Sequence, residues 1–271
     1  LWVLLVYLFS EVTPPHPALR LSYAVGRVET SRKESMRITI CEKAISRIPI
    51  LEMQTDNSPN SSPVLFILHG FSGTKERELP TGYRFTRNGY KVILFDAHLH
   101  GELETQAFRE SERIAQLGQT LEIWTKTCKS TAELVKHYRK QDSSRRIGLL
   151  GKSMGGFVVF QYLSRRSKPK IDAAVCLVST PAWVSLFEMS NDRYPGMKRY
   201  FDEKLLTKAR NTQPSNFLEH FGDIPLLMLN GKEERKFSID DLPAVVDRLK
   251  EVYADNSLVR SILYDGVGHE V

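Results

Sequence analysis

Cysteine is scarce and poorly placed for its structural roles. Cys41, Cys128 and Cys176 are the only three in 271 residues, an odd number, far apart and without a CxxC pair. That disfavours a disulfide framework or a cysteine zinc site and suits a reducing, cytoplasmic compartment. Blocks of like charge are missing too. The 38 Lys and Arg exceed the 32 Asp and Glu for a formal charge of +6, but the excess is spread along the chain. It reads as a mildly basic surface, with no nucleic-acid footprint. The apolar stretch at residues 1–9 falls well short of the roughly 20 residues that cross a bilayer, so no stable membrane insertion is expected. It has no basic segment before it and no clean cleavage site after it, which leaves a signal peptide poorly supported. Internal repeats and low-complexity tracts are also absent.

The first methionine is Met36, where an alternating run (Met36, Ile38, Ile40) begins after a proline-rich segment. Residues 1–35 are therefore expected to be a non-native or disordered leader ahead of a domain spanning 36–271. Lys33-Glu34 is compatible with a purine-rich ribosome-binding run before that start.

Past this point the chain alternates. Apolar runs at 64–68, 92–95, 147–150, 173–178, 225–229 and 261–264 read as strands buried on both faces. Helix-like segments over 75–88, 112–140, 155–165 and 239–254 separate them. The pattern predicts an α/β fold, a mainly parallel central sheet with helices on both faces. Runs at 36–40 and 45–53 suggest an antiparallel edge. Residues 181–222 break the rhythm, with no strand signal and many large apolar side chains, among them Trp183, Phe187 and Met189. They are expected to form a helical cap insertion. Those side chains either roof a pocket or pack the insertion's own core.

Gly151-Lys152-Ser153-Met154-Gly155 is a G-x-S-x-G sequence between a strand and a helix. A sharp turn there lifts the serine hydroxyl above the sheet, and the glycines admit close backbone packing. Ser153 is the nucleophile candidate. Gly-Lys-Ser is not a P-loop, because Arg146 stands where that motif needs glycine. His69-Gly70-Phe71 ends an earlier strand, so the Phe71 and Met154 amides are candidates for an oxyanion hole. His69 and Gly70, with Asp96 and His100 on the next loop, are read as loop support. Asp96, His98, His100 and Glu102 could suggest a metal, but no second histidine cluster accompanies them and a serine nucleophile needs none.

A serine hydroxyl needs a base, and the base an orienting carboxylate. His269 follows the last strand on a glycine-rich loop and is the base candidate. The carboxylate falls in Asn230-Gly231-Lys232-Glu233-Glu234, at Glu233 or Glu234, with Asp240 and Asp265 as fallbacks.

HGFSGTKE, FDAHLHGE, GKSMGG, NGKEE and DGVGHE together resemble the α/β-hydrolase superfamily. The resemblance runs over about 36–271 and is closest to small bacterial carboxylesterases related to dienelactone hydrolases and prolyl-oligopeptidase catalytic domains. It implies Ser153 as nucleophile, His269 as general base and acid, and Glu234 in place of the usual Asp. It implies cleavage of small to medium carboxylic esters through an acyl-enzyme, with no cofactor and a small-molecule ester as partner. Prolyl-oligopeptidase-like peptidase, thioesterase and lactonase activities stay open, as does a catalytically inactive binding protein on the same fold. The family continues past its catalytic histidine into a final helix. Its absence here predicts exposed apolar sheet surface and a poorly stable or aggregating chain.

Overall fold

The computed structural model describes residues 37–194 and 196–269. The expectations for a leader over residues 1–35, and for chain past His269, lie outside these residues. The strands are β1 (Ile38–Ile45), β2 (Ile48–Thr55), β3 (Val64–Leu68), β4 (Lys91–Phe95), β5 (Ile147–Lys152), β6 (Ala173–Leu177), β7 (Leu226–Gly231) and β8 (Val259–Tyr264). The α-helices are α1 (Leu79–Arg87), α2 (Gln106–Glu110), α3 (Arg113–Gly118), α4 (Thr120–Gln141), α5 (Met154–Leu163), α6 (Val184–Arg193), α7 (Glu203–Thr212) and α8 (Leu242–Val252).

One eight-stranded sheet carries the order β1-β2-β4-β3-β5-β6-β7-β8. The β1–β2 and β2–β4 pairs are antiparallel and the other five parallel. Every residue of β3 and β6 is buried, because helices cover both faces of the parallel part. The α4 helix aims Leu121, Trp124, Cys128, Val135 and Tyr138 inward, the three-and-four spacing of a single buried stripe.

Two local readings change. The 45–53 run is not one strand, because Ser46 (φ 51°) and Arg47 (φ 65°) make a two-residue hairpin turn. Turns of this type favour Asn and Gly, so Ser-Arg gave no signal, and pairing of β2 with both neighbours sets the register instead. In the edge strand β1, Ile40 is about half exposed. The 112–140 helix is interrupted after Gly118. A Cβ there would stand 2.8 Å from the Tyr200 ring, so the break lies where the segment between β6 and β7 presses against it. That segment, the expected cap interval, carries α6 and α7 and three 3₁₀ turns.

Candidate active site

The turn after β5 is shaped by contacts that tolerate no side chain. A Cβ on Gly151 would lie 2.2 Å from the Gly155 carbonyl oxygen, and one on Gly155 would lie 2.2 Å from that of Leu68. Between them Ser153 is held at φ 51°, ψ −114°, with its amide donating to the Leu177 carbonyl at 2.8 Å. Non-glycine residues avoid this region, and such strain persists only where the surroundings enforce it. The hydroxyl is thereby lifted out of the sheet at the N-terminus of α5.

Ser153 Oγ is 2.8 Å from His269 Nε2, and His269 Nδ1 is 2.6 Å from Glu234 Oε2. This geometry suits the tautomer in which Nδ1–H donates to the carboxylate and Nε2 accepts from the serine. The Glu234 side chain is fully buried. Burial raises its pKa, but hydrogen bonds from His269 and from the Lys236 and Arg235 amides outweigh this and bring it below the usual value. The other Glu234 oxygen accepts from Arg235 N–H (2.9 Å) and Lys236 N–H (2.7 Å). The extra methylene of Glu over Asp is thus accommodated by folding the carboxylate back onto its own following amides.

The loops that carry Glu234 and His269 are joined through backbone. The Glu233 amide donates to Val267 O at 2.9 Å and Lys232 to Tyr264 O at 2.9 Å. A Cβ on Gly231 would lie 1.9 Å from Val267 O, so only glycine lets the loops meet. The other carboxylates are turned away. Glu233 and Asp240 are exposed, and Asp265 is an exposed partner of Lys232 at 2.7 Å.

Phe71 and Met154 border the same cavity as Ser153 and His269. The Met154 amide is at the first position of α5, where an N–H has no intrahelical acceptor. Behind Phe71 the loop is anchored by buried polar groups. His69 Nδ1 donates to Gly70 O (2.7 Å), and its Nε2 accepts from the Ala97 amide (3.0 Å). Burial pushes its pKa down to about 4, so the ring is a neutral brace. A Cβ on Gly70 would touch the Ser153 Cβ at 3.6 Å, which places this loop against the nucleophile turn. Asp96, fully buried, accepts from the Lys75 amide (2.8 Å), the Lys75 ammonium (3.1 Å) and the Glu102 amide (3.1 Å). His100 donates through Nδ1 to His98 O (3.0 Å) and sets its ring edge-on to Phe71, centroids 5.0 Å apart.

Lys75 is a residue that sequence reasoning missed. It is 2% exposed and bonds Asp96, Glu76 and Glu102. Burial alone would lower its pKa, but these carboxylates raise it above the ordinary lysine range. Nothing in a lone lysine among 38 basic residues marks it as buried. The Asp96 carboxylate is committed to Lys75. Among the described residues no group of three His, Cys, Asp or Glu is set to hold a metal.

The cavity above Ser153 has a volume of about 240 Å³. Its apolar wall includes Trp124, Phe157, Leu186, Met189 and Phe201. Of the insertion residues singled out for a pocket, Met189 lines it, whereas Trp183 and Phe187 do not. Both are fully buried, and Trp183 Nε1 donates to Ala209 O at 3.1 Å. They stand behind Trp124, with centroids 5.0 and 5.7 Å away, while Trp124 stacks on Phe157 at 4.7 Å. Trp183 and Phe187 thus pack the insertion's core, while Trp124 of α4, Phe157 of α5 and the insertion's Tyr194 and Phe201 line the pocket. Packing alone shows which inward residues of α4 and α5 meet the cavity.

Comparison with known proteins bears on the fold. Residues 59–190 match the family model described as serine aminopeptidase, S33. The chain is similar to the "Putative esterase YitV" of Bacillus subtilis, 26% identical over 228 residues, covering 80% of this chain and 87% of that protein. Among solved structures, TT1662 from Thermus thermophilus superposes with a TM-score of 0.67 at 20% identity, covering 86% of this chain and 91% of that one. The Pyrococcus furiosus esterase Pf2001 gives 0.58 at 18% identity, covering 94% and 91%.

Proposed function

We propose that this chain, which has the α/β-hydrolase fold and belongs with the serine hydrolases of that superfamily, is a carboxylesterase acting on small-molecule esters of small to medium acyl groups. The observation that carries the reading is the relay from Ser153 through His269 to Glu234, opening into an apolar cavity. The likeness to the protein described as "Putative esterase YitV" supports the same class.

In this mechanism His269 Nε2 takes the Ser153 proton as Oγ attacks the ester carbonyl carbon. The developing oxyanion accepts hydrogen bonds from the Phe71 and Met154 amides, donors already fixed before charge appears. Ionised Glu234 stabilises the imidazolium and holds its tautomer. Collapse breaks the C–O bond, and His269 delivers the proton to the departing alcohol. Water, deprotonated by His269, then attacks the acyl-enzyme and releases acid and free Ser153.

A fluorophosphonate probe should label the protein at Ser153, and Ser153→Ala should lose both label and hydrolysis of p-nitrophenyl butyrate. Persistent labelling of the alanine variant would overturn the nucleophile assignment. Glu234→Gln should lower kcat by about 10³-fold or more, whereas Glu233→Gln should keep it. The family model's aminopeptidase description favours a second reading, peptide-bond hydrolysis. A p-nitroanilide series run beside the esters decides between them by the ratio of kcat/KM.

A further inference from the structure

Cations from three elements border the cavity. Arg113 on α3, Arg193 at the end of α6 and Lys236 on the acid loop all border it, and no Asp or Glu does so among the described residues. Glu234 itself lies buried behind His269. Three separate elements thus bring cations to the rim of one apolar pocket.

Several arginines outside the mouth are paired with carboxylates. Arg109, Arg139, Arg199 and Arg210 each lie within 3.3 Å of a carboxylate. Among the described residues Arg113 and Arg193 have no such partner. Arg113 donates to Ser72 Oγ (2.7 Å) and lies 4.5 Å over the Phe71 ring. Arg193 donates to the Arg235 carbonyl at 2.6 Å. Both guanidiniums are steadied by neutral groups and keep donors to spare, since each carries five N–H. Burial pulls the Arg113 pKa below the ordinary arginine value, the direction expected of a cation partly removed from water without an anion beside it.

We propose that this rim is an anion-recognition site and that the ester cleaved at Ser153 bears a carboxylate at the end that reaches Arg113 and Arg193. The inference rests on the serine-esterase reading and names the substrate class for it. An apolar wall near Ser153 accommodates the ester's hydrocarbon, and the guanidinium fork matches carboxylate geometry at the mouth.

The test is the ratio of kcat/KM for charged over neutral esters of matched shape. One arm places the charge in the acyl half: p-nitrophenyl hemiglutarate against p-nitrophenyl valerate. The other places it in the alcohol half: 3-carboxyphenyl butyrate against phenyl butyrate. In at least one arm the ratio should exceed about fivefold at low ionic strength and shrink in 0.5 M NaCl, the behaviour of partly exposed ion pairs. Arg113→Gln should pull that ratio toward one, and Arg193→Gln supplies the same readout if the first variant fails to fold. A ratio at or below one in both arms, or one that neither substitution moves, overturns the proposal. If Ser153 takes the fluorophosphonate while the ratio stays at one, only the substrate class falls. If no ester is cleaved and Ser153 stays unlabelled, the esterase reading falls and takes this inference with it.

Discussion

Backbone holds the floor of the site, whereas side chains make its mouth. Around Ser153 the turn is fixed by carbonyl oxygens standing where any Cβ on Gly151 or Gly155 would have to be. The loops that carry Glu234 and His269 are tied by amides to carbonyls, and the Phe71 loop is braced by buried Asp96, His69 and Lys75. At the mouth Arg113, Arg193 and Tyr194 are exposed and come from α3 and the insertion. Chemistry needs atoms held within tenths of an ångström, so it is built where nothing can move. Selectivity is set where a side chain can change without disturbing the sheet.

This contrast is broken most sharply at the glycines. Gly155→Ala should destabilise the fold by more than about 4 kcal/mol, because the clash is with backbone and cannot be relieved by a rotamer change. Denaturant unfolding measures it, and a near-native midpoint would show that the turn is softer than its contacts imply. Next comes Lys75→Met, which leaves Asp96 buried without its counter-charge. A loss of about 3 kcal/mol is expected, together with a lower kcat at little-changed KM, since the oxyanion loop loses its anchor.

Acid should loosen the floor before the mouth. Burial holds His69 neutral in the fold with a pKa of about 4, against an unfolded value of 6.5. The unfolded chain binds the proton more readily, so stability falls as pH drops from about 6.5 toward 4, by up to about 3 kcal/mol from this group. Glu234, whose pKa is lowered in the fold, adds a loss in the same direction as pH falls through the carboxylate range. Melting at pH 7 and pH 4.5 reads the sum, and His69→Gln should shrink it. The smallest effect belongs to the mouth. Tyr194, 42% exposed, changed to Ala should alter stability by less than about 0.5 kcal/mol. KM for the best ester should shift by roughly threefold with kcat nearly unchanged, the pattern of lost uniform binding.

The buried strands could be read because an apolar run covered on both faces leaves a one-dimensional trace, as in Val64–Leu68. The turn around Ser153 was legible because its glycines are demanded by close contact and fall at fixed spacing. The hairpin at Ser46-Arg47 left no trace, because neighbouring strands enforce its positive φ values. Whether Trp183 and Phe187 face a pocket or a core stays open in the sequence for a related reason. Apolarity says that a side chain is buried, and cannot say whether against a cavity or against Trp124.

The sequence by itself determined the alternation of strands and helices, the turn that presents Ser153, and the order of serine, carboxylate and histidine along the chain. These depend on local spacing and on chemistry that few residue types can perform. Only the tertiary structure decided that Glu234 and not Glu233 faces His269, that Lys75 is buried beneath the Phe71 loop, and that Arg113 and Arg193 meet at one cavity mouth. Each of those depends on contacts between segments tens of residues apart, where distance along the chain carries no record of distance in space.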